Sequence, residues 1–298
     1  MVLVAGLILT VFLIIVTLSL MTDFVLSNGK VVSSVLNTVE TQNLLLKNGV
    51  IHGMGYLPDE DAHLQTYDIT KQLVIANIMT LIVGDGAQVR DMDVSRIGVT
   101  GLGWTGSVPK GLSLPCYSSS VPIVSPQDLD TAHGLCLVFP IVTAKDCAAL
   151  QKALDAGAPV MGATSPHYLD VAYNPDPSGP SALIHALKEG IIKTFCLAAS
   201  DMTDHLMTMI PRAITILHHQ EGWDFPDVFR PFCGPLHLLL GISPKGLGVL
   251  GRPALTVLNP SDPSEGDGHD SKLKGRVNFL MVQDPKPSLV FNQLTILS

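Results

Sequence analysis

LCLVFPIVTAKDCAALQKALDAGAPVMGAT, residues Leu135–Thr164, reads as a strand, a helix and a second strand. Leu135–Val142 is an unbroken apolar run, the pattern of a strand covered on both faces. Thr143–Ala156 follows with Cys147, Leu150 and Leu154 at helical spacing. Thr143 and Asp146 make a capping pattern at its start. Gly157 stands where a helix ends in the left-handed region. Pro159–Thr164 is the next short strand. The alternation continues with a helix over Ser181–Glu189, capped by Ser181 and stopped by Gly190, then a buried strand over Ile191–Ala199. Strands alternating with helices predict a parallel α/β sheet. In such sheets chemistry sits at the carboxyl ends of strands. Three places qualify: Val142-Thr143, Ser165-Pro166-His167 and Ser200-Asp201.

The flanks read as β structure. Asn28-Gly29 and Asn48-Gly49 each divide two apolar runs, which predicts a pair of hairpins. A further strand is expected near Leu73–Ile75. Toward the other end, Gly248–Leu258 and Gly275–Val282 are apolar runs separated by a polar loop over Pro260–Lys274. The expected organisation is therefore one β domain built from residues 23–77 and 246–298, with an α/β domain over 78–245 inserted into it. The lone histidines His52 and His63 read as surface residues.

Composition narrows the function classes. The chain has 298 residues, 15% of them charged, a net charge of −8 and a mean hydropathy of +0.37. An acidic chain without a basic patch excludes a general nucleic-acid binder, and 47% hydrophobic residues exclude a disordered chain. Five dispersed cysteines without a CxxC pair exclude a disulfide scaffold and a zinc ribbon; they read as buried thiols. Residues 1–22 carry no charged side chain, and at 1.5 Å per residue such a helix spans a bilayer core of about 30 Å. An N-terminal hydrophobic helix acting as membrane anchor is expected, which places the protein at a membrane or in the secretory pathway. A signal peptide and a buried strand pair are the rivals.

The residues also resemble a known family, the cyclic amidohydrolases, which include allantoinase, dihydropyrimidinase (hydantoinase) and dihydroorotase. Val142–Leu169 and Ala182–Asp201 are similar to the centre of that family, Pro235–Pro260 and Lys274–Val277 to its C-terminal strands, and Leu44–Ile75 to its start. Ser95–Pro109 is a weaker match. The resemblance implies a TIM-type (β/α) barrel inserted in a β-sandwich formed by the two chain ends. It implies hydrolysis of a ring C–N amide bond in a small cyclic amide or ureide, with divalent metal, zinc in particular, activating the water. A homo-oligomer is consistent with it. Asp201 then stands as the catalytic carboxylate and a metal ligand, His167 and Tyr168 as substrate-binding residues, and His205, four residues beyond Asp201, as a second ligand.

The departures from the pattern are chemical. The stretch equivalent to the family's first His-x-His strand, Ala76–Asp91, contains no histidine. Pro140-Ile141-Val142 occupies the position of another histidine ligand. Only about 25 residues separate Pro109 from His133, where the family carries its bridging lysine. Residues 78–245 leave room for about five βα units, against about 200–250 residues for a closed barrel. His218-His219 is a tempting doublet, but adjacent helical residues point apart; Asp204 reads as a surface residue. Two readings follow: a cyclic-amide hydrolase centred on Asp201, or a metal-free, non-catalytic homologue acting as a membrane-anchored binding or scaffold protein.

Overall fold

The computed structural model describes residues 23–34, 36–47, 50–85, 97–107, 114–240, 255–264, 272–282 and 288–291. The hydrophobic segment 1–22 lies outside them, as do residues 86–96 and the whole of 246–254. Among the described residues no helix is long and apolar enough to cross a membrane. The strands are β1 (Phe24–Ser33), β2 (Thr38–Lys47), β3 (Val50–Met54), β4 (Gln65–Asp68), β5 (Leu73–Ala76), β6 (Met79–Val83), β7 (Gly101–Trp104) and β8 (Cys116–Ser118). They continue with β9 (Ile123–Val124), β10 (Cys136–Val138), β11 (Val160–Thr164), β12 (Ile192–Ala198), β13 (Leu255–Pro263), β14 (Lys274–Val282) and β15 (Ser288–Phe291). The helices are α1 (Ala144–Asp155), α2 (Gly179–Lys188), α3 (Met202–His205), α4 (Met209–Ala213), α5 (Phe225–Cys233) and α6 (Pro235–Leu239). A π-helical stretch, Ile214–Gln220, continues α4.

The two chain ends meet in one mixed sheet of order β15-β14-β13-β5-β1-β2-β3, with β4 also pairing β1. The expected sandwich is thus a single eight-stranded sheet among the described residues. One predicted hairpin is also corrected. Asn28-Gly29 is no turn: β1 runs through it with a shift in register between Leu26 and Gly29. Asn28 takes φ +61°, donates its backbone N–H to Asn43 Oδ1 at 3.0 Å and its side-chain amide to Asp68 Oδ1 at 3.3 Å. A Cβ at position 29 would lie 2.5 Å from Ile69 Cδ1. The Asn-Gly pair is used as a bulge. The reversal falls later, where Ser33 pairs Thr38 and Asn37 supplies the positive φ of 55°. The second hairpin is as expected, since Lys47 pairs Val50 across residues 48–49.

The central sheet is wholly parallel, in the order β8-β7-β6-β12-β11-β10-β9. Its first strand, β6, pairs its last, β12, and its edges are β8 and β9; the order does not establish the expected barrel. Seven strands fit where five units were expected because the strands are short. Among the described residues, the links from β6 to β10 hold only a 3-10 turn at Leu129–Thr131.

Side chains alternate across this sheet. Ile82, Leu102, Val138 and Leu197 face the packed helices. Met79, Leu81, Leu137, Ala163 and Cys196 face the other way and are covered by Leu236 and Leu239 of α6. Leu240 comes so close to β7 that a Cβ at Gly103 would meet it at 2.8 Å. A short apolar helix therefore covers one face of the sheet.

Helix α1 starts as its sequence requires. Thr143 Oγ1 accepts the Asp146 N–H at 3.1 Å, and Asp146 Oδ2 accepts the Thr143 N–H at 2.9 Å. Gly157 ends it at φ +78°. Thr143→Ala is expected to lower stability by about 1 kcal/mol, read as a fall in urea midpoint. Helix α2 begins two residues before the expected Ser181. Asp176 Oδ1 accepts both the N–H and the hydroxyl of Ser178, and Pro180 supplies the preset φ of a first turn.

Candidate functional site

Strands β11 and β12 pair through Thr164 and Phe195, so their carboxyl ends emerge side by side. From β11 the chain passes Ser165 into the turn Pro166–Leu169, which carries His167 and Tyr168. From β12 it passes through Ala199–Asp201 into α3, which ends at His205. The fold brings the two histidines into contact. Their rings stack with centroids 4.1 Å apart and planes 21° apart. Tyr168 packs on His167 at 4.4 Å, and Tyr173 meets His205 edge-on at 5.6 Å.

His167 is 5% exposed, and its Nδ1 shares a 2.6 Å hydrogen bond with Ser165 Oγ. Burial, then His205, lowers its pKa to about 4, with Arg212 adding to the effect and Asp201 opposing it. The imidazole is therefore neutral at neutral pH. Burial raises the Tyr168 pKa, and the charge of Asp201 raises it further. Asp201 is half-buried and accepts the Ser200 hydroxyl at 2.8 Å. His205 Nδ1 is buried with no hydrogen-bond partner among the described residues. Nothing is described for the side chain of Asp204.

Three participants beyond Ser165 carry no motif. Arg212, 1% exposed, places Nη1 2.5 Å from Asp170 Oδ2 and its guanidinium 4.4 Å over the ring of Tyr173. It is the one charge in the run Met209–Leu217, and a cation inside an apolar helix must find a partner. That was its only signal. Asp170 and Tyr173 had none.

The other candidates are accounted for locally. His218 Nδ1 bonds the Trp223 carbonyl at 2.7 Å, and His219 Nε2 the Pro260 carbonyl at 2.8 Å. His52 and His63 are exposed, as expected. All five cysteines are free thiols. Burial raises Cys147 to about 11 and Cys233 to about 12, too high for a thiolate nucleophile at neutral pH.

The donors present do not fit the metal that the family resemblance implies. An imidazole binds zinc through a lone pair in its ring plane at about 2.0–2.1 Å. The stacked planes of His167 and His205 run side by side and do not converge on one point. The Nδ1 of His167 is engaged by Ser165. At the end of β6 stand Val83, Gly84 and Asp85, and Asp85 accepts the Ser107 N–H at 2.9 Å. At the end of β10 stand Phe139 and Pro140. Among the described residues no three His, Cys, Asp or Glu side chains are grouped to hold an ion.

Known structures share the overall fold. The chain is similar to dihydropyrimidinase from Brevibacillus agri, with a TM-score of 0.67 and 10% identity over 92% of this chain and 96% of that one. The same figures hold for D-hydantoinase from a Thermus species. L-hydantoinase from Arthrobacter aurescens gives a TM-score of 0.65 and 12% identity over 93% and 98%. The fold is hydantoinase-like. No protein-family model and no curated protein sequence matches the chain. The hydantoinase-like fold thus rests on structural likeness over most of the chain and not on a sequence match.

Proposed function

We propose that this chain uses a hydantoinase-like fold to hold a small cyclic amide or ureide at the carboxyl ends of β11 and β12 without hydrolysing it. The observation that carries the reading is the stacked pair of His167 and His205. The His167 imidazole, buried and stacked against His205, backs the part-exposed rings of Tyr168, Tyr173 and His205, which together form a flat, polar-edged platform. A planar ring with N–H and C=O groups matches such a surface by stacking and by edge hydrogen bonds. Hydrolysis would instead need in-plane lone pairs converging on an ion and a carboxylate at the reacting carbon. With residues 1–22 as an anchor, binding would take place beside a membrane.

Asp201 favours a second reading, hydrolysis of the ring C–N bond, because its charge reaches His167 and Tyr168 at the strand end. One experiment separates the two. Hydantoin, dihydrouracil, allantoin and dihydroorotate are incubated with the protein in the presence of zinc or manganese, while ligand-observed NMR follows both binding and ring opening. Saturable binding of an intact ring is expected, weakened by His167→Ala. Ring opening abolished by Asp201→Asn would establish the hydrolase, and absence of binding by every ring would overturn the platform.

A further inference from the structure

A cavity of about 590 Å³ lies behind the histidine pair, between the loop after β11, the π-helical stretch and the residues leading into β14. Such a volume suits a small organic ligand. Its walls are apolar at Leu169, Val171, Ile216 and Leu273. Val171 is an apolar side chain left 69% exposed at the mouth.

The charged groups on the lining decide what could enter. Asp170 is spent: Oδ1 accepts the Ala172 N–H at 3.0 Å, and Oδ2 holds Arg212. Arg212 is spent in turn on Asp170 and on the Tyr173 ring. Thr215 Oγ1 donates to the Pro211 carbonyl and accepts the Lys274 N–H. What remains is Lys272, exposed and on the lining. Asp170 and Arg212 cancel, so the lining carries a net positive charge in a chain whose own net charge is −8. We propose that this cavity binds a small monocarboxylate with an apolar body, the carboxylate on Lys272 at the mouth and the body against Leu169, Val171, Ile216 and Leu273. The site adjoins the histidine platform at Tyr173 but takes none of its charged contacts from the two histidines, so it does not rest on what that platform holds.

Benzoate and benzamide serve as probes of equal shape and unequal charge. Isothermal titration should show benzoate binding at one site at least tenfold more tightly than benzamide. Lys272→Glu and Val171→Glu change exposed side chains and should each remove that preference. Lys145→Glu, an exposed lysine elsewhere, should leave it intact. Circular dichroism checks that each variant is folded. Equal affinity for the two probes, no binding of either, or a preference that survives Lys272→Glu would overturn the proposal.

Discussion

Asp170→Ala is expected to lower stability by about 3 kcal/mol, a fall of roughly 6–12 °C in Tm. The reason lies with its partner. Arg212 is 1% exposed, so removing the carboxylate 2.5 Å from Nη1 takes an ion-pair partner from a cation held inside the protein. Breaking a buried pair costs about 3–5 kcal/mol. The lower end applies because Asp170 is 32% exposed and the face of Tyr173 still holds the guanidinium. Asp170→Asn should cost less, since an amide oxygen can still accept from Nη1. The double variant Asp170→Ala, Arg212→Met should recover most of the loss, because an apolar pair leaves no charge unpaired. Thermal and urea denaturation of the four proteins checks this. A loss below about 1 kcal/mol in Asp170→Ala would show that Arg212 does not depend on this carboxylate.

The second large effect is a loss of stability in mild acid. Burial first, then His205, holds the His167 imidazole down to about 4. In the unfolded chain a histidine titrates near 6.5. Between these values the unfolded state binds a proton that the folded state refuses, so stability falls as pH falls. The contribution is complete above about pH 6.5 and is lost on descending toward pH 4. At pH 4.5 the loss amounts to about 2.5 kcal/mol. Urea midpoints at pH 7 and pH 4.5 should therefore fall further in the natural protein than in His167→Gln. Parallel falls in the two would contradict the burial of a neutral imidazole at the end of β11.

Much of this architecture was legible because local rules and tertiary packing agree there. Thr143, Asp146 and Gly157 mark both ends of α1, and the apolar runs around them are the buried strands β10, β11 and β12. The Asn28-Gly29 bulge was not legible as such. A turn and a bulge ask for the same positive φ, and only Asn43 and Asp68, from other strands, decide between them. The seven strands of the parallel sheet were not all legible because short strands without intervening helices leave no periodicity to count. At the site, His167, Tyr168, Asp201 and His205 are gathered at neighbouring strand ends, as the βαβ order implies. Their stacking could not be read, because it depends on the angle at which α3 leaves β12. Arg212 was visible only as a lone charge in an apolar run.

A platform at these strand ends, in place of a metal centre, leaves the protein without a tightly held divalent ion. The most direct measurement is the metal content of protein purified from zinc- and manganese-supplemented culture and dialysed without chelator. Well below one equivalent of any divalent ion per chain is expected, with no change after His205→Ala. One or two tightly held ions per chain, lost in His205→Ala or Asp201→Asn, would contradict it.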